Sequence, residues 1–208
     1  MTQEGVTKFQ LHWTATAPQV HPNLPVLQRW RDRFYLEGLI GADPQRYAGI
    51  GFGNISCRSD RGFIVTATQT GHLSTLSPEN FCEVTGWDIL RNQLQAEGPQ
   101  PPSSEALSHA ACYDANADIQ WVFHVHSAEL WQHSAALGIA ATPLESEYGT
   151  PAMAQAVAEI SQRAHSLFLI QMAGHEDGII AAGKTADKTG SLLLDAVMVA
   201  QLSSAFRK

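Results

Sequence analysis

The sequence predicts an α/β fold organised as a single domain. The chain has 208 residues and no stretch typical of an interdomain linker, and this length suits one domain with a sizeable core. Short apolar runs typical of strands, such as residues 121–126 and 178–183, are interspersed with longer stretches of helical periodicity. Capping signals mark where helices begin, for example Thr150 directly before Pro151. We therefore expect one domain, residues 1–208, in which helices bury their apolar faces against a sheet.

The composition argues against several classes of partner and location. The formal net charge is −7 and the Lys and Arg residues are scattered, which disfavours a surface for nucleic acid or anionic membrane. The N-terminus lacks the features of a secretory leader, and no apolar run is long enough to span a bilayer. Cys57, Cys82 and Cys112 lack CxxC spacing and are expected to be buried free thiols of a reducing compartment. We expect a cytoplasmic protein.

The first half of the chain predicts one helix and several short strands. Residues 1–24 are expected to form a peripheral N-terminal arm, because residues 9–13 alternate like an edge strand and three prolines follow. Apolar positions at helical spacing predict an amphipathic helix at residues 25–39, closed by Gly38 or Gly41. The segments that follow are a loop entering a strand at 49–56, a strand at 63–68, a Ser-Pro helix start at 77–79 and a strand at 81–85.

The second half predicts four more helices and a β-hairpin. One helix begins at residues 103–105, with serine caps and an acid in the first turn, where the helix dipole favours it, and runs to Tyr113. Strands at 167–172 and 178–183 are joined by a hairpin tip that carries a histidine and two acids. The remaining segments are a strand at 121–126 and helices at 129–137, at 150–163 and after Thr185.

Two histidines one residue apart, His124 and His126, lie within the apolar run at 121–126. Because side chains alternate between the two faces of a strand, both imidazoles should reach the same point. Two neutral imidazoles are two of the three protein ligands that a catalytic zinc site uses, and the fourth position is left for water or substrate. The third ligand has to come from elsewhere. The alternative is a histidine pair that only packs or faces solvent.

An ordered set of short motifs resembles a known family. The motifs are Gly53-Asn54, Thr70-Gly71, Ser103-Ser104-Glu105 and His124-x-His126, followed by His175 in the hairpin tip. In this order they resemble the class II aldolase/adducin family, whose zinc-dependent members include fuculose- and ribulose-phosphate enzymes, and the resemblance covers residues 25–206. It implies a three-layer α/β/α sandwich with a mixed, mainly antiparallel central sheet. It also implies a homo-oligomer, a cyclic tetramer, with the metal site at a sheet edge near a subunit contact.

The resemblance also implies roles for individual residues. His124, His126 and His175 are similar in place to the ligands of one Zn²⁺ per subunit, with another divalent metal as the alternative. Glu105 is similar to the catalytic acid/base, although as a first-turn acid it needs no further explanation. The segments matching those that hold a substrate phosphate are Gly53, Asn54, Thr70, Gly71, Ser103 and Ser104. Backbone amides and hydroxyls of this kind bind a dianion without any lysine. His109, one turn after Glu105, either orients the carboxylate or is a partly exposed helix residue.

Three departures from the family pattern affect these implications. The family has His directly before Gly ahead of the final strand, whereas this chain has Glu176 and Asp177 between His175 and Gly178. We expect His175 to be the third ligand, with Asp177 as the alternative, because three imidazoles suit zinc and a two-residue insertion in a hairpin is tolerated. No tyrosine matches the family residue that reaches a neighbour's site; Tyr148 belongs to another part of the pattern. The N-terminal arm has no counterpart in the smaller aldolases.

The expected function is that of a zinc-dependent aldolase, a carbon-carbon lyase. Its substrate would be a small, phosphorylated or otherwise anionic hydroxyketone, ketose or hydroxyacid, cleaved through a metal-stabilised enediolate. Dehydration, as in a methylthioribulose-phosphate dehydratase, and epimerisation use the same parts and are enzymatic alternatives. A non-catalytic, adducin-like assembly module is the alternative from another class, disfavoured because a scaffold has no need of an acid beside a histidine pair.

Overall fold

The computed structural model describes residues 7–18 and 20–205. Residues 1–6 and 206–208 lie outside the described residues. They include the start of the expected N-terminal arm, where a leader was sought, and the end of the expected domain. Within the described part, the helices are α1 (Leu24–Leu36), α2 (Ala106–Ala115), α3 (Ala128–His133), α4 (Pro151–Arg163) and α5 (Ala186–Ala205). None of these helices has the length and apolar character that a membrane crossing requires.

The strands form one large sheet and one small one. The strands are β1 (Gln10–Ala15), β2 (Gly41–Ala42), β3 (Gly51–Phe52), β4 (Asn54–Ser59), β5 (Gly62–Thr66), β6 (Phe81–Asp88), β7 (Gln93–Gly98), β8 (Trp121–His126), β9 (Ala140–Ala141), β10 (Leu167–Gln171) and β11 (Gly178–Gly183). The large sheet has nine strands in the order β1-β7-β6-β5-β4-β8-β11-β10-β9, while β2 pairs with β3. The strands β8 and β4 therefore lie near the centre of the large sheet.

The large sheet is mixed and mainly antiparallel, as expected. Among the described strands, only the two outermost pairs, β1 with β7 and β9 with β10, are parallel. The N-terminal segment supplies β1, which confirms the predicted edge strand, and Phe9 just before it is buried in the core. The predicted hairpin is also present, because β10 and β11 pair in antiparallel register around residues 172–177.

Two hydrophobic cores lie on opposite faces of the sheet, which confirms the three-layer α/β/α sandwich. One core joins α2 and α4 to side chains such as Val122 of β8 and Ile180 of β11. The other joins α1, α3 and α5 to the alternate residues of the same strands, such as Phe123 and Ile179. Because neighbouring residues of β8 enter different cores, this strand is fully buried.

Several segments differ from their sequence-based predictions. The helix α2 begins at Ala106 rather than at residues 103–105, and Glu105 occupies its N-cap position without a side-chain cap. The serines therefore lie in the preceding turn and do not cap the helix, contrary to the prediction. The helix α1 ends at Leu36, because Gly38 adopts φ of 68° and turns the chain. The caps at Thr150 and Thr185 are present as predicted, each accepting a backbone N–H bond.

Candidate metal centre and anion pocket

The strand β8 places His124 and His126 on one face, as alternation predicts. Both are 1% exposed, and their Nε2 atoms are 3.2 Å apart. The neighbouring strands fix the surroundings of the pair. Asn54 of β4 lies opposite His124 in the ladder, and Gly178 of β11 lies opposite His126. Sheet pairing thus positions Asn54 and Gly178 beside the two histidines, and sites built on strands are held more precisely than sites on loops.

His175 joins the pair from the tip of the β10–β11 hairpin. Its Nε2 lies 3.1 Å from Nε2 of His126 and 3.3 Å from Nε2 of His124, and the residue is 2% exposed. Gly178 makes room for this arrangement, because a Cβ atom there would lie 2.5 Å from the His175 ring. The structure therefore brings together the three histidines that the sequence analysis singled out.

The histidine cluster fits a tetrahedral metal ion. Zinc with bonds of about 2.0–2.1 Å to nitrogen sets its ligand nitrogens about 3.3 Å apart, close to the three separations between these Nε2 atoms. Burial lowers the pKa of His124 to about 4 and lowers the pKa of His126 and His175 well below the ordinary value, so all three imidazoles are neutral and could act as ligands. His124 Nδ1 lies 3.2 Å from the carbonyl oxygen of Ile179; donating there leaves its Nε2 lone pair directed at the cluster.

Asp177, the alternative ligand, is engaged elsewhere. Its carboxylate accepts a hydrogen bond of 2.5 Å from the hydroxyl of Tyr47 and lies 3.6 Å from the guanidinium of Arg46. The group of residues whose donor atoms converge on one point contains His124, His126 and His175, and Asp177 is not part of it. The geometry thus supports a three-histidine site.

The three segments expected to hold an anion meet in one pocket. A hydrogen bond from the Ser103 amide to the Thr66 carbonyl and a bridge between Ala67 and Pro102 join the second and third segments. The pocket is lined by residues 50–54, 67–71 and 103–105 together with His124. It therefore contains all six predicted anion-binding residues, the predicted acid/base Glu105 and one histidine of the metal centre.

The polar groups of this pocket differ in what they can offer a ligand. Among the described residues, the hydroxyls of Ser103 and Ser104 have no hydrogen-bond partner, and Asn54 Oδ1 is buried without one. Thr70 is different, because its hydroxyl donates to the carbonyl of Ala67 at 2.9 Å. The Thr70-Gly71 segment can therefore serve an anion through its backbone amides and not through the threonine hydroxyl proton.

Glu105 is 3% exposed, and its Oε2 accepts a hydrogen bond of 2.8 Å from the hydroxyl of Ser108. His109, expected beside Glu105 or partly exposed, is fully buried, so the exposed alternative is wrong. Its Nδ1 lies 2.6 Å from Ser56 Oγ. Burial lowers the pKa of His109 well below the ordinary value, and the charge of His124 lowers it further. The structure thus pairs the carboxylate of Glu105 with Ser108.

The sequence analysis missed Tyr47 and Arg31 at this site and assigned no role in it to Tyr148. The ring of Tyr47 packs edge-on against His126, with centroids 4.8 Å apart, and the ring of Tyr148 lies 4.9 Å from that of His175. Arg31 does not line the pocket; it is buried behind the Thr70-Gly71 segment and donates to both carbonyl oxygens. The burial of Arg31 could have been predicted from the sequence, because its spacing from Leu27 and Phe34 places all three on one face of the helix.

Solved structures of aldolases have the same fold at low sequence identity. L-fuculose-1-phosphate aldolase from Thermus thermophilus is 19% identical, with a TM-score of 0.67 over 88% of this chain and 93% of that one. A sugar-phosphate aldolase from Thermotoga maritima is 14% identical, with a TM-score of 0.65 over 88% and 95%. An aldolase II superfamily protein from Pseudomonas syringae is 17% identical, with a TM-score of 0.60 over 89% and 78%.

A comparison of sequences, rather than of structures, identifies the family of this chain. No curated protein sequence matches this chain significantly. The sequence model of the class II aldolase and adducin N-terminal domain, however, matches residues 43–203, which include the histidine cluster and every residue that lines the anion pocket. The chain therefore belongs to the class II aldolase and adducin N-terminal domain family.

Proposed function

We propose that this protein is a metal-dependent lyase of the aldol type, acting on a small phosphorylated hydroxyketone or ketose. One observation carries the proposal: His124 belongs both to the three-histidine cluster and to the pocket that contains Glu105 and the three anion-binding segments. A substrate whose phosphate lies in that pocket would thus have its reactive end between the metal centre and a carboxylate. The names of the sugar-phosphate aldolases with the same fold agree with this substrate class.

The metal would be held by Nε2 of His124, His126 and His175, with Zn²⁺ as the proposed ion. When bound, such an ion would supply Lewis-acid chemistry that favours negative charge on a substrate oxygen. The low pKa values of the histidines keep all three lone pairs available to it at neutral pH.

Glu105 would move the proton. As the carbon-carbon bond breaks, its carboxylate takes the proton of the substrate hydroxyl that becomes the new carbonyl, and the bonding electron pair remains on the other fragment. The same carboxyl then returns the proton to that carbon, so the reaction balances without any other reactant. Ser108 donates to Oε2 and thereby fixes the orientation of the carboxylate.

The anion pocket would position the substrate. The hydroxyls of Ser103 and Ser104 and the amides near Gly53 and Gly71 would donate to the phosphate, close to the start of α2, where the helix dipole favours negative charge. Gly71 has to be a glycine for the turn to pack here, because a Cβ atom there would lie 2.3 Å from the carbonyl oxygen of Gly41.

The proposal also covers the assembly and location of the protein. We propose a homotetramer, because this is the state that the family resemblance implies and because α5 exposes Met198, Val199 and Leu202. A cytoplasmic location agrees with three free, buried thiols.

The test is an assay of ketose phosphates and short hydroxy acids in the presence of Zn²⁺, with and without chelator. An aldol lyase releases an aldehyde or ketone fragment from a phosphorylated substrate, and chelation stops the release. A dehydratase would instead lose water and keep the carbon chain intact. A chain that turns over none of these compounds and binds no stoichiometric metal would be an assembly module, and the proposed function would be wrong.

A further inference from the structure

Arg31 is a cation buried behind the anion pocket. It lies on the buried face of α1 and is only 1% exposed. One of its guanidinium nitrogens, Nη2, donates to the carbonyl oxygen of Thr70 at 2.9 Å and to that of Gly71 at 3.3 Å. Thr70 and Gly71 both line the pocket together with Ser103 and Ser104. The guanidinium is therefore separated from the pocket by one turn of backbone.

These two hydrogen bonds determine where the amides of the turn point. In a trans peptide the C=O and N–H bonds point in opposite directions. Because the carbonyls of Thr70 and Gly71 face Arg31, the N–H groups of the same two peptides, those of Gly71 and His72, face away from it. Neither amide donates a backbone hydrogen bond within the part of the chain that the structure describes. Of the two residues, Gly71 lines the pocket and His72 is exposed beside it, so the Gly71 amide is the one available to a ligand there.

The charge of Arg31 has no partner ion in the described residues. No carboxylate lies within ion-pair distance of it; Asp32, next to it in sequence, acts on it only through space. Its Nη1 is buried without a hydrogen bond. Burial lowers the pKa of the guanidinium, but arginine stays protonated at neutral pH. The guanidinium also lies over the ring of Tyr35, 4.8 Å from its centroid, so its described partners are a ring and two carbonyl oxygens. A buried charge without a partner ion is costly, and an anion bound in the adjacent pocket would offset that cost.

We propose that Arg31 is a positioning residue that makes this pocket selective for a phosphate monoester. It does so by turning and polarising the Gly71 amide toward the ligand and by supplying the positive charge that the pocket surface lacks. The charge stays out of reach of water and cannot be screened as a surface lysine would be. This inference rests on the proposed function, because it assigns the phosphate to the same pocket.

The test is a calorimetric titration of inorganic phosphate into the full chain as purified, at fixed ionic strength. Ser104→Ala reports whether phosphate binds in this pocket. Arg29→Met is the matched control, because it removes one positive charge from an exposed position two residues away on the same helix. We expect Arg29→Met to change the affinity by less than about twofold, since exposed charges contribute little.

The Arg31 variants decide the proposal. Arg31→Met should weaken phosphate binding about tenfold or more. The phosphate affinity of Arg31→Lys should lie between those of Arg31→Met and Arg29→Met, because lysine keeps the charge but cannot hold both carbonyls. Metal content should stay unchanged in both. A purely structural role would lower thermal stability and leave phosphate affinity as in Arg29→Met, and that result would overturn the proposal. Where Arg31→Met does not fold, Arg31→Lys decides alone.

A failure of the proposed function is distinguishable from a failure of this inference. If wild type does not bind phosphate, or if Ser104→Ala binds it as tightly as wild type, the anion pocket itself is wrong and both proposals fall. If Ser104→Ala weakens binding and the Arg31 variants do not, the pocket stands and only the role of Arg31 is wrong.

Discussion

Glu105 lies at the N-cap of α2, where a carboxylate has two possible uses. As a first-turn acid it would stabilise the helix through the dipole by about 0.3–1 kcal/mol. Its 3% exposure and its place in the pocket with His124 argue for proton transfer instead, because a dipole-stabilising acid has no need to be buried. The two roles predict different properties for a variant that lacks this carboxylate.

Glu105→Gln should keep the metal and lose turnover. The three imidazoles are untouched, and Gln can still accept the hydrogen bond from Ser108, so the fold and the metal centre should survive. General acid/base groups contribute about a hundred- to ten-thousand-fold, and kcat should fall by that order while substrate affinity changes little. Glu79→Gln is the control, because Glu79 is an exposed acid in the short helix at Pro78–Asn80. A fully active Glu105→Gln enzyme would leave only the structural role.

At the residue scale, the sequence predicted contacts that follow from strand alternation and from local order. The convergence of His124 and His126 required only a period of two. His175 came from the family resemblance, because no local pattern relates the hairpin tip to this strand. The packing of Tyr47 on His126 was not predictable, because it depends on a loop in which Tyr47 and Ala48 both adopt positive φ. Asp177 also binds this loop through a long-range contact that no local pattern encodes.

At the scale of elements, α1 and α5 pack through a glycine. Gly190 of α5 faces the ring of Trp30, and a Cβ atom there would lie 2.2 Å from the ring. Trp30 is in turn packed against Phe34 and Phe123, so the ring has little freedom to move. The helical layer beside β8 therefore depends on the absence of a side chain at this position.

Gly190→Ala should destabilise the protein. Overpacking costs about 1–3 kcal/mol, which outweighs the gain of up to about 1 kcal/mol that alanine brings to a helix interior. Ser191→Ala, at the exposed neighbouring position, should be neutral or slightly stabilising. Chemical denaturation of both variants measures the difference. If Gly190→Ala proves as stable as Ser191→Ala, the contact with Trp30 is not as tight as described.

Elements with a long apolar pattern or a cap were predictable, and short elements were not. The Thr150 cap and the apolar run of β8 carried enough local information to place their segments. The strand β7 has the right alternation, with Leu94 and Ala96 buried, but its Gln and Glu residues have low strand propensity. The two-residue strand β9 exists only because β10 offers it a partner. Pairing between distant segments, and not local preference, creates both.

At the scale of the whole molecule, the two cores bury three free thiols. Cys57 and Cys112 are each fully buried, and burial raises the pKa of both from the ordinary value of 9.0 to about 12. Burial also raises the pKa of Cys82. The expectation of buried, unpaired cysteines is thus confirmed, and it makes the stability of the protein depend on pH.

The free energy of unfolding should fall as the pH rises above about 9. In that range the unfolded chain loses its thiol protons while the folded chain keeps them until about pH 12, so the folded state binds more protons. The stabilisation is fully present below about pH 9 and is lost progressively above it. Urea unfolding at about pH 8 and about pH 10 measures the decrease, and a Cys57→Ala, Cys112→Ala double variant should show a smaller one. An equal decrease in the variant would contradict this account.

The central claim is that three histidines hold one divalent metal ion beside Glu105. Its most direct measurement is the metal content per chain of wild type, His175→Ala and Asp177→Ala, each purified, supplied with Zn²⁺ and freed of unbound ion. His175→Ala removes a member of the cluster, whereas Asp177→Ala removes a carboxylate that binds Tyr47 and Arg46. We predict about one ion per chain for wild type and Asp177→Ala and little for His175→Ala. Full occupancy in His175→Ala with loss in Asp177→Ala, or no stoichiometric metal in wild type, would contradict the account.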